Sequence, residues 1–140
     1  MSKLVAQLKR HEGVKKFCYL CPAGFETIGV GRNISENNGL GLSDDEIDYL
    51  LENDIKRCKQ ELIALSWFMD LDSVRQDAIV NLCFNLGLTR LMGFKNAMAA
   101  MATGDYAKAG DEFYDSRWAK QVGPRADEVC EMIRTGRYPE

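Results

Sequence analysis

The sequence predicts an α+β fold, predominantly α, with one small β-hairpin near its N-terminus. Three observations predict it. Apolar residues recur at helical spacing over most of the 140 residues. One alternating stretch, Lys15–Leu20, is followed by the turn residues Cys21-Pro22-Ala23-Gly24 and a second extended run over 25–30. No internal repeat, low-complexity tract or linker interrupts the chain, and its length suits one domain with a sizeable core.

The first element is a helix opened by Ser2 as N-cap and closed by Gly13 as the residue beyond its end. Leu4, Leu8 and Glu12 fall at i, i+4 and i+8, so a carboxylate continues the apolar stripe. Partial burial and the negative end of the helix dipole both disfavour a charged group there. A carboxyl that keeps its proton is what a general acid requires, which makes Glu12 a candidate. His11, about 100° round the helix, reads as a solvated residue.

The hairpin comes next. Phe17 and Tyr19 alternate as in a half-buried strand. On the returning strand Thr27, Gly29 and Gly31 share a face, with Glu26 on the other, which makes Glu26 a poor second catalytic carboxylate. The glycines at 29 and 31 either admit a close approach to the backbone or only allow twist.

The rest is helical. Ser43 and Glu46 form a capping box opening a helix to about residue 65, with Ile47, Leu50, Leu51, Ile55, Cys58 and Leu62 at helical spacing. Residues 71–86, ended by Gly87, are too apolar for a surface helix and are expected at the centre of a helical lobe. Helices over 94–103, closed by Gly104, and 106–115, capped by Asp105, follow, with Met98 and Met101 as core packing. A turn of helix spans 116–122, and Pro124 suits the N1 position of a last helix reaching about 135 before Gly136.

Charge is placed unevenly. Residues 1–32 carry six basic and two acidic side chains, whereas 33–72 carry three and ten. The basic end suits an anionic polymer, but the overall −3 argues against tight non-specific binding, and no basic-aromatic stripe marks a nucleic-acid site. No apolar run reaches membrane-spanning length, and the start of the chain lacks the apolar core of a signal peptide, so folding in cytoplasm is expected. Five cysteines, an odd count, do not form a disulfide framework. Cys58 and Cys83 read as buried thiols. Cys18 and Cys21 form a C-x-x-C pair across strand and turn; with no second pair, no metal site is expected. A disulfide between them would occupy Cys21 and act as a redox switch.

The segment from Glu12 through eight residues to Cys21, then five to Thr27, followed by Ile28-Gly29-Val30-Gly31, resembles the catalytic segment of the phage-type lysozymes, glycoside hydrolase family 24, whose middle position is Asp or Cys. A second resemblance covers 71–138. The run LDSVRQDAIVNLCFNLG, Gly93-Phe94, Ser116-Arg117-Trp118 and Arg134-Thr135-Gly136 look like the helical lobe of the T-even-phage members of that family. The resemblance implies a two-lobed lysozyme-like fold in one domain, 1–140, with a small β lobe over about 13–42, a connecting helix over 43–65, a helical lobe from 1–12 and 70–140, and a cleft.

It also implies an activity: hydrolysis of the β-1,4 bond between N-acetylmuramic acid and N-acetylglucosamine in peptidoglycan, leading to bacterial lysis. Glu12 is then the general acid, and Cys21 with Thr27 places the attacking water, with inversion at the anomeric carbon and an acid–base separation of roughly 6.5–9.5 Å. An unperturbed thiol, with a pKa of about 8.5, is only a few per cent thiolate at pH 7. Either Lys15, Lys16 or Arg32 lowers it, or Cys21 positions water by a weak hydrogen bond, or it attacks as a nucleophile with retention.

Phe84 matches a substrate-contacting aromatic, with core packing as its other reading, and Asn85 stands where relatives carry an amide. Arg125 matches the arginine that pairs with the catalytic glutamate, with a solvated surface arginine as its other reading. Gly31 and Arg32 fall at substrate positions, although relatives carry histidine after the glycine; other contacts fall on Asn33, Ala97 and Glu112, so subsite details do not transfer. No cofactor is implied. A monomer held in the host cytoplasm until a holin releases it to the wall is implied. A lytic transglycosylase giving anhydro-muramic ends and a non-catalytic wall-binding or inhibitor module are the alternatives.

Overall fold

The computed structural model describes residues 2–140; the expected start of the first segment at Met1 lies outside them. The chain divides into two compact units, 1–50 and 51–140.

The first unit opens with α1, Ser2–Glu12, ended as expected by Gly13, whose φ is +79° and whose N–H bonds Lys9 O at 3.0 Å. Its apolar stripe is not buried. Among the described residues α1 buries none, and Leu4 and Leu8 are 61% and 42% exposed. Residues at that spacing do share a helix face, but the described residues of this unit include no buried apolar side chain for the stripe to join.

A three-stranded antiparallel sheet follows in the order β1 Lys15–Leu20, β2 Glu26–Gly29, β3 Arg32–Asn33. The hairpin forms where its turn residues predict: Cys21 N–H bonds Phe25 O at 2.9 Å and Gly24 N–H bonds Cys21 O at 2.8 Å. Tyr19 pairs with Thr27, and the register breaks between Lys15 and Tyr19. That irregularity undoes the alternation read from the sequence, for Phe17 is 84% exposed and only Tyr19 is partly covered. The returning strand is shorter than 25–30. Gly29 and Gly31 take φ of +70° and +66°, which turns the chain into the unanticipated β3, with Ile28 opposite Arg32. A left-handed backbone breaks the alternation of faces, so the shared face expected for Thr27, Gly29 and Gly31 does not extend past the strand.

The helix α2, Asp44–Leu62, starts at the expected capping box. Ser43 N–H bonds Glu46 Oε1 at 2.8 Å and Glu46 N–H bonds Ser43 Oγ at 3.4 Å. In the second unit α3, Ser73–Leu86, is capped by Asp72 and buries six residues, among them Ile79 and Leu82 at 0% exposure. A short helix not expected from the sequence, α4 Leu88–Met92, precedes α5 Lys95–Thr103 and α6 Tyr106–Tyr114. Then come α7, Arg117–Val122, and α8, Pro124–Thr135, with proline in its first turn and Gly136 left-handed beyond its end. The core lies among these helices and includes Phe113, Leu91, Met101 and Ile133, with Met98 packed against it. Arg75 closes it by donating from Nε to Ile133 O at 2.7 Å and from Nη2 to Arg134 O at 3.1 Å, and its guanidinium stacks on Tyr106. Those two carbonyls lie at the C-terminal end of α8, where the helix itself supplies no donor.

All five cysteines are free, and Cys58 and Cys83 are buried as expected. Cys18 lies in β1 and Cys21 directly follows it. Three strand steps carry about 10 Å, beyond the ~7 Å between Cα atoms that a disulfide spans. The pair expected as a redox switch is therefore held apart by the strand.

Candidate active site

Glu12, Cys21 and Thr27 all belong to the unit 1–50. Thr27 is one of the two buried residues among those described in this unit, 4% exposed, and donates from Oγ1 to Phe25 O at 2.8 Å. Its partner across the hairpin is Tyr19, next but one to Cys21. Cys21 is partly exposed, and its thiol is pulled below its ordinary value first by a hydrogen bond from the Phe25 backbone; desolvation, the next largest influence, opposes this, and the Ala23 backbone, the Thr27 side chain and the Gly24 backbone add to the lowering. The hairpin turn thus gathers main-chain N–H groups around the sulfur, and they favour its charged form. Lys15, Lys16 and Arg32, the cations expected to do this, are not among the causes. Thr27 has one hydroxyl proton and two acceptors within reach, Phe25 O and the Cys21 sulfur, so ionisation of the thiol competes for that proton.

Glu12 ends α1 with its side chain exposed, contrary to the partial burial expected of it. Its carboxyl lies over Gly31. A Cβ on that glycine would sit 3.0 Å from Glu12 Cδ and 3.2 Å from Cγ, and closer still to Oε2. The sequence marked Gly31 as room for a close approach; what approaches is the candidate acid itself.

Arg32 is engaged by its own unit. Its Nη1 donates to Glu46 Oε1 at 2.7 Å and to Gly41 O at 3.0 Å, tying β3 to the start of α2. Glu46 is drawn down to about 2 by Arg32 and by the Ser43 N–H and hydroxyl.

The remaining candidates lie in the unit 51–140. Phe84 is 45% exposed and lines a cavity of about 490 Å³ between α2, α3 and α8, with Asn81, Arg125 and Tyr138 also in the wall. Core packing, its other reading, does not describe it. Arg125 is fixed by Asn81, its Nε donating to Asn81 Oδ1 at 2.9 Å and its Nη2 to Asn81 O at 3.3 Å. Asn85 accepts from Trp118 Nε1 at 2.7 Å, which orients the amide. Sequence reading missed Asn81, Glu46 and Trp118 as the groups that hold these candidates. Only Glu46 carried a signal, as the capping residue; Asn81 and Trp118 meet partners 44 and 33 residues away.

Among the described residues no group of histidine, cysteine or carboxylate side chains forms a metal cluster, and no helix is long and apolar enough to cross a membrane.

The chain is similar to the probable T4-type lysozyme 1 of Dictyostelium discoideum, at 26% identity over 97% of this chain and 96% of that one. It is 30% identical to an endolysin of Acyrthosiphon pisum secondary endosymbiont phage 1, over 84% and 80% of the two chains. A stretch amounting to 28% of the pre-baseplate central spike protein of Enterobacteria phage T4 is 27% identical over 95% of this chain. The phage lysozyme family model matches residues 9–135, which include Glu12, Cys21, Thr27, Phe84 and Arg125. The chain therefore belongs to the phage lysozyme family, whose enzymes hydrolyse peptidoglycan.

Proposed function

We propose that the chain is an endolysin that cleaves the β-1,4 bond between N-acetylmuramic acid and N-acetylglucosamine, with Glu12 as general acid and Cys21 with Thr27 as the pair that places and activates the attacking water. One observation carries this reading: the hairpin turn brings main-chain donors and the buried Thr27 to the Cys21 sulfur, which favours a thiolate at the position where the family carries Asp or Cys. A thiolate accepts a proton from water, whereas a neutral thiol only donates weakly. Water attacking opposite the bond that Glu12 protonates gives inversion at the anomeric carbon.

Gly31 acts chiefly as the seat for Glu12. Phe84 offers an aromatic face to the sugar, Asn85 and Arg32 supply polar contacts, and Arg125 lines the same cavity as Phe84. The enzyme acts as a monomer without a cofactor, kept in the host cytoplasm until a holin lets it reach the wall, with no contact to the holin itself and no nucleic-acid partner.

The test is digestion of purified peptidoglycan by the wild type and by Glu12→Gln, read by mass spectrometry of the muropeptides. Expected are reducing N-acetylmuramic acid ends that fall at least 100-fold in the variant, the scale at which a general acid contributes. Anhydro-muramic ends would move the reading to a lytic transglycosylase. Binding without products from either protein would move it to a wall-binding module.

A further inference from the structure

Residues 33–40 form a tight loop after β3. Asn33 closes it twice: its Oδ1 accepts from Ser35 N–H at 2.9 Å and its carbonyl accepts from Leu40 N–H at 2.8 Å. Ser35, buried in this polar knot, accepts from Glu26 N–H at 2.8 Å and so ties the loop to β2.

Two backbone demands meet at the tip. Gly39 has no room for a side chain, since a Cβ would lie 2.6 Å from Ser35 N and 2.8 Å from Asn33 Oδ1, and closer still to Ser35 O. Asn38 is the described non-glycine residue with positive φ, at +66°, a conformation that asparagine tolerates better than other side-chain-bearing residues. The loop therefore requires glycine at 39 and suits asparagine at 38, which gives the one Asn-Gly dipeptide among seven asparagines in the chain.

That pair is chemically labile for the reason that makes it structurally useful. Glycine adds no side chain to shield its nitrogen, and Asn38 is exposed to water. Among the described residues the Gly39 N–H has no backbone acceptor, although its neighbour Leu40 does.

We infer that Asn38 is a site of spontaneous deamidation, at which the folded chain converts to aspartate and isoaspartate. The Gly39 nitrogen attacks Asn38 Cγ as its proton is removed by base. The Cγ–Nδ2 bond breaks, and ammonia leaves with that proton. The new Cγ–N bond closes a five-membered succinimide. Water then adds at one of the two ring carbonyls and breaks its bond to nitrogen. Opening at the side-chain carbonyl gives aspartate, and opening at the main-chain carbonyl gives isoaspartate. Nothing is oxidised or reduced, and water is the sole co-reactant.

Either product adds a negative charge to a loop already next to the acidic start of α2. Isoaspartate also adds a carbon to the main chain directly before Gly39, where the packing against Ser35 leaves no slack.

The experiment is incubation of the folded protein in mildly alkaline buffer, with time points analysed by peptide mapping, tandem mass spectrometry and enzymatic methylation of isoaspartate. The Asn38→Gly variant keeps the left-handed backbone and removes the amide. Urea-unfolded wild type in the same buffer shows that the assay registers conversion. Expected is a steadily growing species whose mass gain equals exchange of NH2 for OH, located to residue 38, methylatable, and absent from Asn38→Gly. If the folded protein gains no such mass at Asn38 while the unfolded chain does, or if another asparagine converts first, the inference is overturned.

Discussion

Among the described residues, every buried apolar side chain lies between Cys58 and Ile133, whereas the only buried residues in 1–50 are Thr27 and Ser35, both polar. The unit 51–140 is held by removal of apolar surface from water, a contribution of roughly 25 cal/mol per Å². The unit 1–50 is held by strand pairing, side-chain bonds into loops, glycine turns and one ion pair, each worth about 1 kcal/mol or less net. Glu12, Cys21 and Thr27 all fall in the second kind of structure. Catalytic groups need fixed polar neighbours more than they need a dry core, and the Phe25 and Ala23 backbones beside Cys21 are such neighbours. The cost is a unit expected to open locally at lower free energy than its partner.

The comparison makes its largest claim about packing. Phe113 is 0% exposed and its ring sits 5.3 Å from that of Phe94. Phe113→Ala should cost about 3–5 kcal/mol by urea denaturation. Phe17→Ala, the same change at an 84% exposed strand position, should stay within about 0.5 kcal/mol. Equal costs would mean that the first unit has an apolar core after all.

The next effect is catalytic. Thr27→Val keeps shape and burial but leaves Phe25 O with the Cys21 N–H as its remaining donor and Cys21 without its hydroxyl neighbour. Turnover on peptidoglycan should fall about 100-fold, while Thr27→Ser keeps most of it. A Val variant as active as wild type would reduce Thr27 to a packing residue.

How much of this was legible in the sequence follows the same division. In 51–140 the helix limits at Gly87, Gly104, Pro124 and Gly136 were readable because capping chemistry is local. In 1–50 the elements were readable but their burial was not. Leu4, Leu8 and Phe17 have the periodicity of covered faces, and periodicity says which residues share a face without saying what covers it. For the candidate site, the spacing of Glu12, Cys21 and Thr27 was visible. Cations were one of the readings open for Cys21, and the lowering comes chiefly from backbone groups, which carry no letter in a sequence. The Asn81 clasp on Arg125 was hidden for another reason, being a contact between helices far apart in the chain.

Gly31→Ala sharpens the comparison within the first unit. A Cβ there must adopt φ of +66° and displace the Glu12 carboxyl, so strain of about 1–2 kcal/mol is expected. Activity should fall by more than the loss of stability explains, because the acid itself is moved. Gly29→Ala is the control: its φ is also positive at +70°, but a Cβ there meets nothing within 4 Å. If the two variants lose activity equally, backbone strain accounts for the effect and the seat for Glu12 does not.

The smallest effect is electrostatic. Glu46 is held at about 2 against an ordinary 4.5, first by its hydrogen bond to Arg32 and then by Ser43. A carboxyl whose folded value is depressed stabilises the fold fully above its unfolded value, and that contribution fades as pH falls from 4.5 towards 2. Both side chains are about one-third exposed, so water and salt screen the pair, and its worth lies at the low end for ion pairs. Carboxyl NMR should show Glu46 titrating well below its ordinary 4.5. Glu46→Gln should remove the acid-range loss that this pair causes, with wild type and variant converging near pH 2. A Glu46 that titrates near 4.5 would mean that α2 does not hold Arg32, and the guanidinium would then meet the sugar without a fixed orientation.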